Sequence, residues 1–151
     1  PWDCPARDKA HEGQDIRPRE CRYDGTRCTI DLFDVIAVTD GFAWWKSDNN
    51  VRFAAADGAF YYTYLHMSTD ALKRAGLVQG QWVTRKRGQR IGEVGNWDHL
   101  VPFGTGTAHL HFEIRRKDDT TCGEYACTVS PYWTLIRAYE RLIGMQGTEL
   151  P

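Results

Sequence analysis

Four of the five histidines in this 151-residue chain fall in three short motifs that also contain an aspartate. The motifs are His11-Glu12-Gly13-Gln14-Asp15, Tyr64-Leu65-His66 and His109-Leu110-His111-Phe112-Glu113. Side chains alternate between the two faces of a strand, so His109 and His111 point to one side. The apolar residues between and after them point to the other side. This pattern predicts a β-strand whose apolar residues enter a core while both imidazoles reach a cleft.

The first motif is predicted to be extended or looped. His11 and Asp15 are four residues apart, which aligns them on either a helix or a strand. Gly13 lies between them and Pro18 follows, and both residues disfavour a long helix. The segment is therefore expected to carry both side chains without regular helical structure.

His66 closes the run Phe60–His66, which is rich in strand-forming residues. Alternation predicts that Phe60, Tyr62, Tyr64 and His66 share one face. It also predicts that neighbouring tyrosines of this run have different roles, some filling the core and others lining a groove.

Imidazole nitrogens and carboxylate oxygens are donors that zinc prefers, and a hydrolytic zinc site leaves one position open for water. Each motif alone has a simpler explanation. A lone histidine at a strand end is more often structural, and His-x-x-x-Asp lacks the internal glutamate and second histidine of the helical zinc motif. The three motifs together indicate a zinc site more strongly than any one of them.

The three motifs and a glycine-rich segment resemble the lysostaphin-type (LytM-like) zinc metallopeptidases, which cut peptide bonds in bacterial peptidoglycan. That family carries His-x-Gly-x-Asp, a Tyr-x-His motif, Gly-x-x-Ile-Gly-x-x-Gly and His-Leu-His-Phe-Glu. This chain carries the same blocks in the same order, in the segments 11–15, 64–66, 88–95 and 109–113. The resemblance extends from about residue 11 to Pro131-Tyr132.

The resemblance implies that His11, Asp15 and His111 are the ligands of one zinc ion per chain. It implies that His66 and His109 are catalytic, one as the base for a zinc-activated water and the other stabilising the oxyanion. The position of His109 beside a ligand on one strand face favours it as the base, although the sequence leaves this division open. The implied substrate is a peptidoglycan peptide, either a cross-link or a stem.

The implied fold is mainly β: an antiparallel β-sheet or sandwich domain with a substrate groove and a short C-terminal helix. The glycine signals at Asp40-Gly41 and Asp57-Gly58 predict turns between strands. Short helices are predicted over Ser68–Ala75 and from about Pro131 to Ile143. We expect one domain over residues 1–151 with a core of about 11–144, acting as a monomer.

Two departures from the family pattern leave alternatives open. No tyrosine precedes the first motif, and the stretch Asn96–Ala108 is longer than usual and contains His99. His99 is either a surface residue or a group that contacts substrate or blocks the metal. The main alternative function is a catalytically silent or autoinhibited relative that regulates other cell-wall hydrolases. A zinc-binding module without catalysis is a third possibility, but the full set of ligands and histidines favours the enzyme.

Charge and hydropathy argue against a nucleic-acid-binding protein and against a membrane-spanning segment in this sequence. The net charge of -1 gives no nucleic-acid footprint. No apolar run approaches the ~20 residues that span a bilayer. The sequence begins at Pro1 and contains no signal peptide, so we expect a processed form or a piece of a longer chain.

The five cysteines favour an oxidising compartment, so the expected location is periplasmic or secreted. None has Cys-x-x-Cys spacing, which disfavours a zinc ribbon. Disulfides Cys21/Cys28 and Cys122/Cys127 are preferred among the possible pairings, with Cys4 either free or paired outside this chain. Five reduced thiols in a cytoplasmic protein are the alternative.

Overall fold

The computed structural model describes residues 13–16, 33–47, 49–95, 109–117, 128–132 and 135–136. Within this part of the chain the structure is mostly β-strand, with one short helix and the beginning of a second. The elements are β1 (Gln14–Ile16), β2 (Asp34–Ile36), β3 (Gly41–Ser47), β4 (Asn50–Ala55), β5 (Phe60–Leu65), α1 (Thr69–Arg74), β6 (Trp82–Arg85), β7 (Arg90–Glu93), β8 (Leu110–Arg116) and β9 (Thr128–Val129).

The described strands form two antiparallel sheets. The large sheet has the order β1-β8-β5-β4-β3-β6, and β9 also pairs with β8. The small sheet consists of β2 and β7. The predicted fold class, a mainly antiparallel β domain, is confirmed.

Of the two predicted turns, one precedes β3 and the other connects β4 to β5. Asp40-Gly41 leads directly into β3. Between β4 and β5, Gly58 has φ 72°, a left-handed conformation that glycine adopts without strain. The Asp57 carboxylate accepts a hydrogen bond from the Ala59 N–H at 2.9 Å, which closes the turn. The Asp57-Gly58 turn therefore sets the β4-β5 hairpin in the middle of the sheet.

Helix α1 follows its sequence signals. The Ser68 side chain accepts a hydrogen bond from the Ala71 N–H at 3.3 Å, as an N-cap does. Gly76 has φ 77° just beyond the C-terminal end. The helix lies against β7, where a Cβ on Gly92 would come within 2.9 Å of Leu72 Cδ2. A larger residue than glycine at this position would require the side-chain ends of Leu72 and Met67 to shift.

The core lies on one face of the large sheet. Leu110, Phe112 and Ile114 are buried there, as the alternation around His109 and His111 predicts. Tyr62 stacks on Phe112 with ring centroids 6.0 Å apart. The same cluster includes residues of the small sheet and α1, namely Val35, Ile91 and Leu72. The opposite face of the large sheet is therefore available for chemistry.

Several predictions fall outside the described residues. These are the metal ligand His11, the loop residue His99 and all five cysteines, so the disulfide pairing stays a prediction. The start of the C-terminal helix is described: Tyr132, Leu135 and Ile136 are helical, and the Leu135 N–H donates to the Pro131 carbonyl at 2.9 Å. No helix among the described residues has the length and apolar character needed to cross a bilayer.

Candidate metal and catalytic site

The pairing of β1 with β8 brings the first and third motifs together. Asp15 is the direct partner of His111 in the register, so the two side chains share the face opposite the core. Asp15 Oδ1 lies 3.0 Å from His111 Nδ1. Two of the three predicted zinc ligands, distant in sequence, are thus adjacent in the structure.

Glu113 holds the other side of the His111 ring. The carboxylate lies 3.1 Å from His111 Nε2, and Arg115 donates to the same carboxylate at 3.0 Å. An ionised Glu113 accepts a hydrogen bond from the Nε2–H of His111, which leaves Nδ1 as the ring nitrogen that faces Asp15. A carboxylate that orients an imidazole in this way is the usual outer partner of a metal-ligating histidine.

The charges of this group shift two pKa values in opposite directions. Burial disfavours a charged His111, but its hydrogen bonds to Glu113 and Asp15 outweigh burial and raise its pKa. Burial also disfavours ionised Glu113, but the hydrogen bond from His111 and the charge of Arg115 outweigh it and lower the pKa of Glu113. The carboxylate therefore stays charged at neutral pH and keeps His111 oriented.

Close packing against β8 explains why the first motif has a glycine at position 13. A Cβ at this position would come within 2.6 Å of both His111 Nε2 and the Phe112 carbonyl oxygen. It would also lie 2.9 Å from Glu113 Cγ. Only glycine lets β1 approach close enough to place Asp15 beside His111 without displacing Glu113.

His66 lies on the site side of the sheet because its backbone departs from the strand. β5 ends at Leu65, and His66 has φ 64°, a left-handed conformation that non-glycine residues rarely adopt. Its ring lies 4.6 Å from the His109 ring and 6.2 Å from the His111 ring, measured between centroids. The expectation that His66 shares a face with Tyr64 is therefore wrong, because alternation ends where the backbone turns.

Two neighbouring segments hold this turn in place. The Met67 N–H donates to the Asn49 carbonyl at 2.9 Å, and the Gly95 N–H donates to the His66 carbonyl at 2.6 Å. A Cβ on Gly95 would come within 2.7 Å of the His66 carbonyl oxygen. Such rare backbone conformations persist where the surrounding structure fixes them, and they cluster at functional sites.

His109 completes the group. It lies immediately before β8, and its Nε2 is 3.8 Å from Asp15 Oδ1. Burial, followed by the charges of His109 and His111, lowers the pKa of His66 to about 4. His66 is therefore neutral near pH 7 and offers one ring nitrogen as a donor and the other as an acceptor.

Two of the described side chains have the chemistry of zinc ligands. Among residues 13–16, 33–47, 49–95, 109–117, 128–132 and 135–136, no three His, Cys, Asp or Glu side chains form a complete metal-holding group. Asp15 and His111 nevertheless fit zinc: a carboxylate oxygen and an imidazole nitrogen face each other, and Glu113 orients the imidazole. The third predicted ligand, His11, lies outside the described residues.

Sequence reasoning missed two contributors to this arrangement. The motif pattern assigns no role to Glu113, although its position two residues after His111 places it on the same strand face. The contact of Gly95 with His66 has no local signal, because it depends on how β7 meets the end of β5.

Comparisons with known proteins support the fold. No protein-family model and no curated protein matches the chain. The solved structure of the antimicrobial peptidase lysostaphin from Staphylococcus simulans is 20% identical, with 93% of this chain and 56% of that chain covered and a TM-score of 0.52. An NMR solution structure of lysostaphin is 21% identical, with 83% and 50% covered and a TM-score of 0.52. The catalytic domain of the Staphylococcus simulans enzyme is 23% identical, with 82% and 89% covered and a TM-score of 0.49.

This chain therefore spans about half the length of the two longer lysostaphin chains. The likeness to those two chains shows a shared fold, a mostly antiparallel β domain with almost no helix.

Proposed function

We propose that this protein is a zinc-dependent endopeptidase that hydrolyses peptide bonds of bacterial cell-wall peptidoglycan. The observation that carries the proposal is the convergence of Asp15, His66, His109 and His111 on the non-core face of the large sheet. The fold is shared with lysostaphin, whose structures are described as those of an antimicrobial peptidase. We propose a single domain that acts as a monomer in the periplasm or outside the cell.

Asp15 and His111, with His11, would hold one zinc ion. Zinc, when bound, supplies Lewis-acid chemistry: it polarises a carbonyl and acidifies water. Glu113 accepts a hydrogen bond from the Nε2–H of His111, so Nδ1 is the ring nitrogen that would bind the metal. Gly13 allows this close packing, since any side chain there would collide with the His111 ring.

His66 and His109 would move protons and stabilise charge. His109 Nε2 lies 3.8 Å from the Asp15 carboxylate, next to the ligand pair, so we assign it as the general base. As base, His109 would take a proton from the attacking water and become an imidazolium. This imidazolium would then protonate the leaving amine. His66, fixed beside His109 by its turned backbone, is placed to donate a hydrogen bond to the developing oxyanion.

Two single substitutions separate the roles of ligand and base. His111→Ala should lose zinc and peptidoglycan hydrolysis together, because it removes a ligand. His109→Ala should keep near-stoichiometric zinc but lose turnover, because it removes only the base. Metal content by atomic emission and peptide release from purified peptidoglycan are measured on both variants. Near-stoichiometric zinc in His111→Ala would count against that ligand assignment, and unchanged turnover in His109→Ala would refute His109 as the base. Zinc-loaded wild-type chain that releases no peptide would favour a zinc-binding module or a regulator of other hydrolases.

A further inference from the structure

The face of the large sheet that carries the histidine site continues to the opposite edge. Directly paired residues share a face, and the register links Glu113 to Thr63, Thr63 to Arg52, and Arg52 to Trp44. Trp44 in turn pairs with Trp82 on β6, the last strand. One row of side chains therefore runs from the residue that orients His111 to two tryptophans.

The tryptophans form a stacked pair in which Trp82 is exposed and Trp44 is half-buried. Their rings are stacked with centroids 5.5 Å apart and an interplanar angle of 27°. Trp82 is 51% exposed, and Phe42, two residues before Trp44 on the same face of β3, is 44% exposed. Large aromatic side chains left in water at one place on a sheet mark a binding surface more often than a structural need.

The distance from the histidine site suits an extended polymer. Neighbouring strands lie about 4.8 Å apart, so Trp44 is about 14 Å and Trp82 about 19 Å from β8 across the sheet. An extended chain advances about 3.3–3.6 Å per residue, so about four to six residues would span this distance. The aromatic pair is thus too far away to contact the bond that is cut, but close enough to hold the same molecule.

We propose that Trp44 and Trp82 form a distal subsite that binds the sugar portion of the wall polymer while its peptide lies at the histidine site. Sugar rings have an apolar C–H face that stacks on indole, and Trp82 presents its ring to solvent. Arg52 is exposed on the row between the tryptophans and the site, where its charge complements the carboxylates of wall stem peptides. This inference rests on the proposed function, because it extends the substrate of the same site.

Binding to insoluble peptidoglycan tests the subsite without requiring hydrolysis. Co-sedimentation with purified peptidoglycan, in the presence of a chelator, gives the Kd of the wild-type chain and its variants. Trp82→Ala should weaken binding by about 3- to 10-fold, the effect of losing one aromatic stack. Trp82→Phe should restore most of the affinity. Tyr132→Ala is the matched control, because Tyr132 is a 54% exposed aromatic that follows β9 and lies off this row, and its removal should leave the Kd unchanged.

Competition identifies the part of the polymer that is bound. Soluble oligosaccharides of N-acetylated amino sugars should displace the wild-type chain and have less effect on Trp82→Ala. Equal affinity of Trp82→Ala and wild type would overturn the subsite. Displacement by sugar-free stem peptides alone would overturn its assignment to a sugar. Since no bond is cut in this assay, a failure of the proposed endopeptidase activity would leave these results unaffected.

Discussion

Replacing Glu113 by glutamine tests how the sheet prepares His111 for a metal. Glu113 is buried and accepts hydrogen bonds from His111 at 3.1 Å and from Arg115 at 3.0 Å. Glutamine keeps the shape but removes the charge that both donors require. Outer partners of this kind are worth about 10- to 100-fold in metal affinity or activity, and we expect a loss in that range. Because a hydrogen bond to a charged group contributes about 1.5–3 kcal/mol, the free energy of unfolding should fall by a similar amount.

The assay compares zinc affinity with stability. A competitive zinc titration gives the Kd, and urea unfolding of the metal-free chain gives the free energy of unfolding. Glu93→Gln is the matched control: Glu93 is also buried and binds two arginines, Arg74 at 2.9 Å and Arg90, but it lies in the small sheet. The control should lose stability while keeping zinc affinity. Equal zinc affinity in Glu113→Gln and wild type would refute the orienting role of Glu113.

The pH dependence of the Glu113 contribution follows from the lowered pKa of this carboxyl. Because its folded pKa lies below the unfolded value, the stabilisation is fully present above the unfolded pKa. It is lost as the pH falls through the folded pKa. Glu113→Gln should therefore remove this part of the acid sensitivity, together with part of the stability at neutral pH.

Three further predictions concern His66 and the site as a whole. Gly95→Ala should lower peptide release by about 100-fold, because its methyl group would displace His66, while zinc content by atomic emission stays unchanged; loss of zinc instead would show wider damage. The pKa of His66 is about 4 when folded and about 6.5 when unfolded, so the unfolded chain binds more protons in between and stability falls as the pH drops through that window. Urea unfolding of metal-free His66→Gln should show a shallower decline there than wild type, and equal slopes would contradict it. Finally, peptide release should fall below about pH 6 as protons compete for the imidazoles, so a flat rate from pH 5 to 8 would argue against metal-bound histidines.

Much of the fold could be predicted because its signals are local. Alternation placed Leu110 and Phe112 in the core and His111 on the opposite face, since a strand has a fixed period of two. Asp57-Gly58 and the Ser68 cap marked a turn and a helix start through their own hydrogen bonds. These features need only a few neighbouring residues, so sequence patterns are sufficient to find them.

The remaining features depend on contacts between distant segments. The left-handed turn at His66 is fixed by Asn49 and Gly95, and no pattern around residue 66 predicts it. The order of strands decides that Trp44 and Trp82 share a face with the histidine site. Pairing of Asp15 with His111 across β1 and β8 was anticipated only through the family resemblance, because spacing alone cannot bring together residues so distant in sequence.

Paired measurements of metal content and hydrolysis test whether this chain is a zinc-dependent hydrolase. Metal content of the purified chain is determined together with release of peptides from purified peptidoglycan, with and without a chelator. We expect one zinc ion per chain and release that the chelator abolishes and added zinc restores. A chain that takes up no zinc, even when zinc is added back, would contradict the assignment of Asp15 and His111 as ligands. Zinc-loaded protein that releases nothing would contradict the endopeptidase.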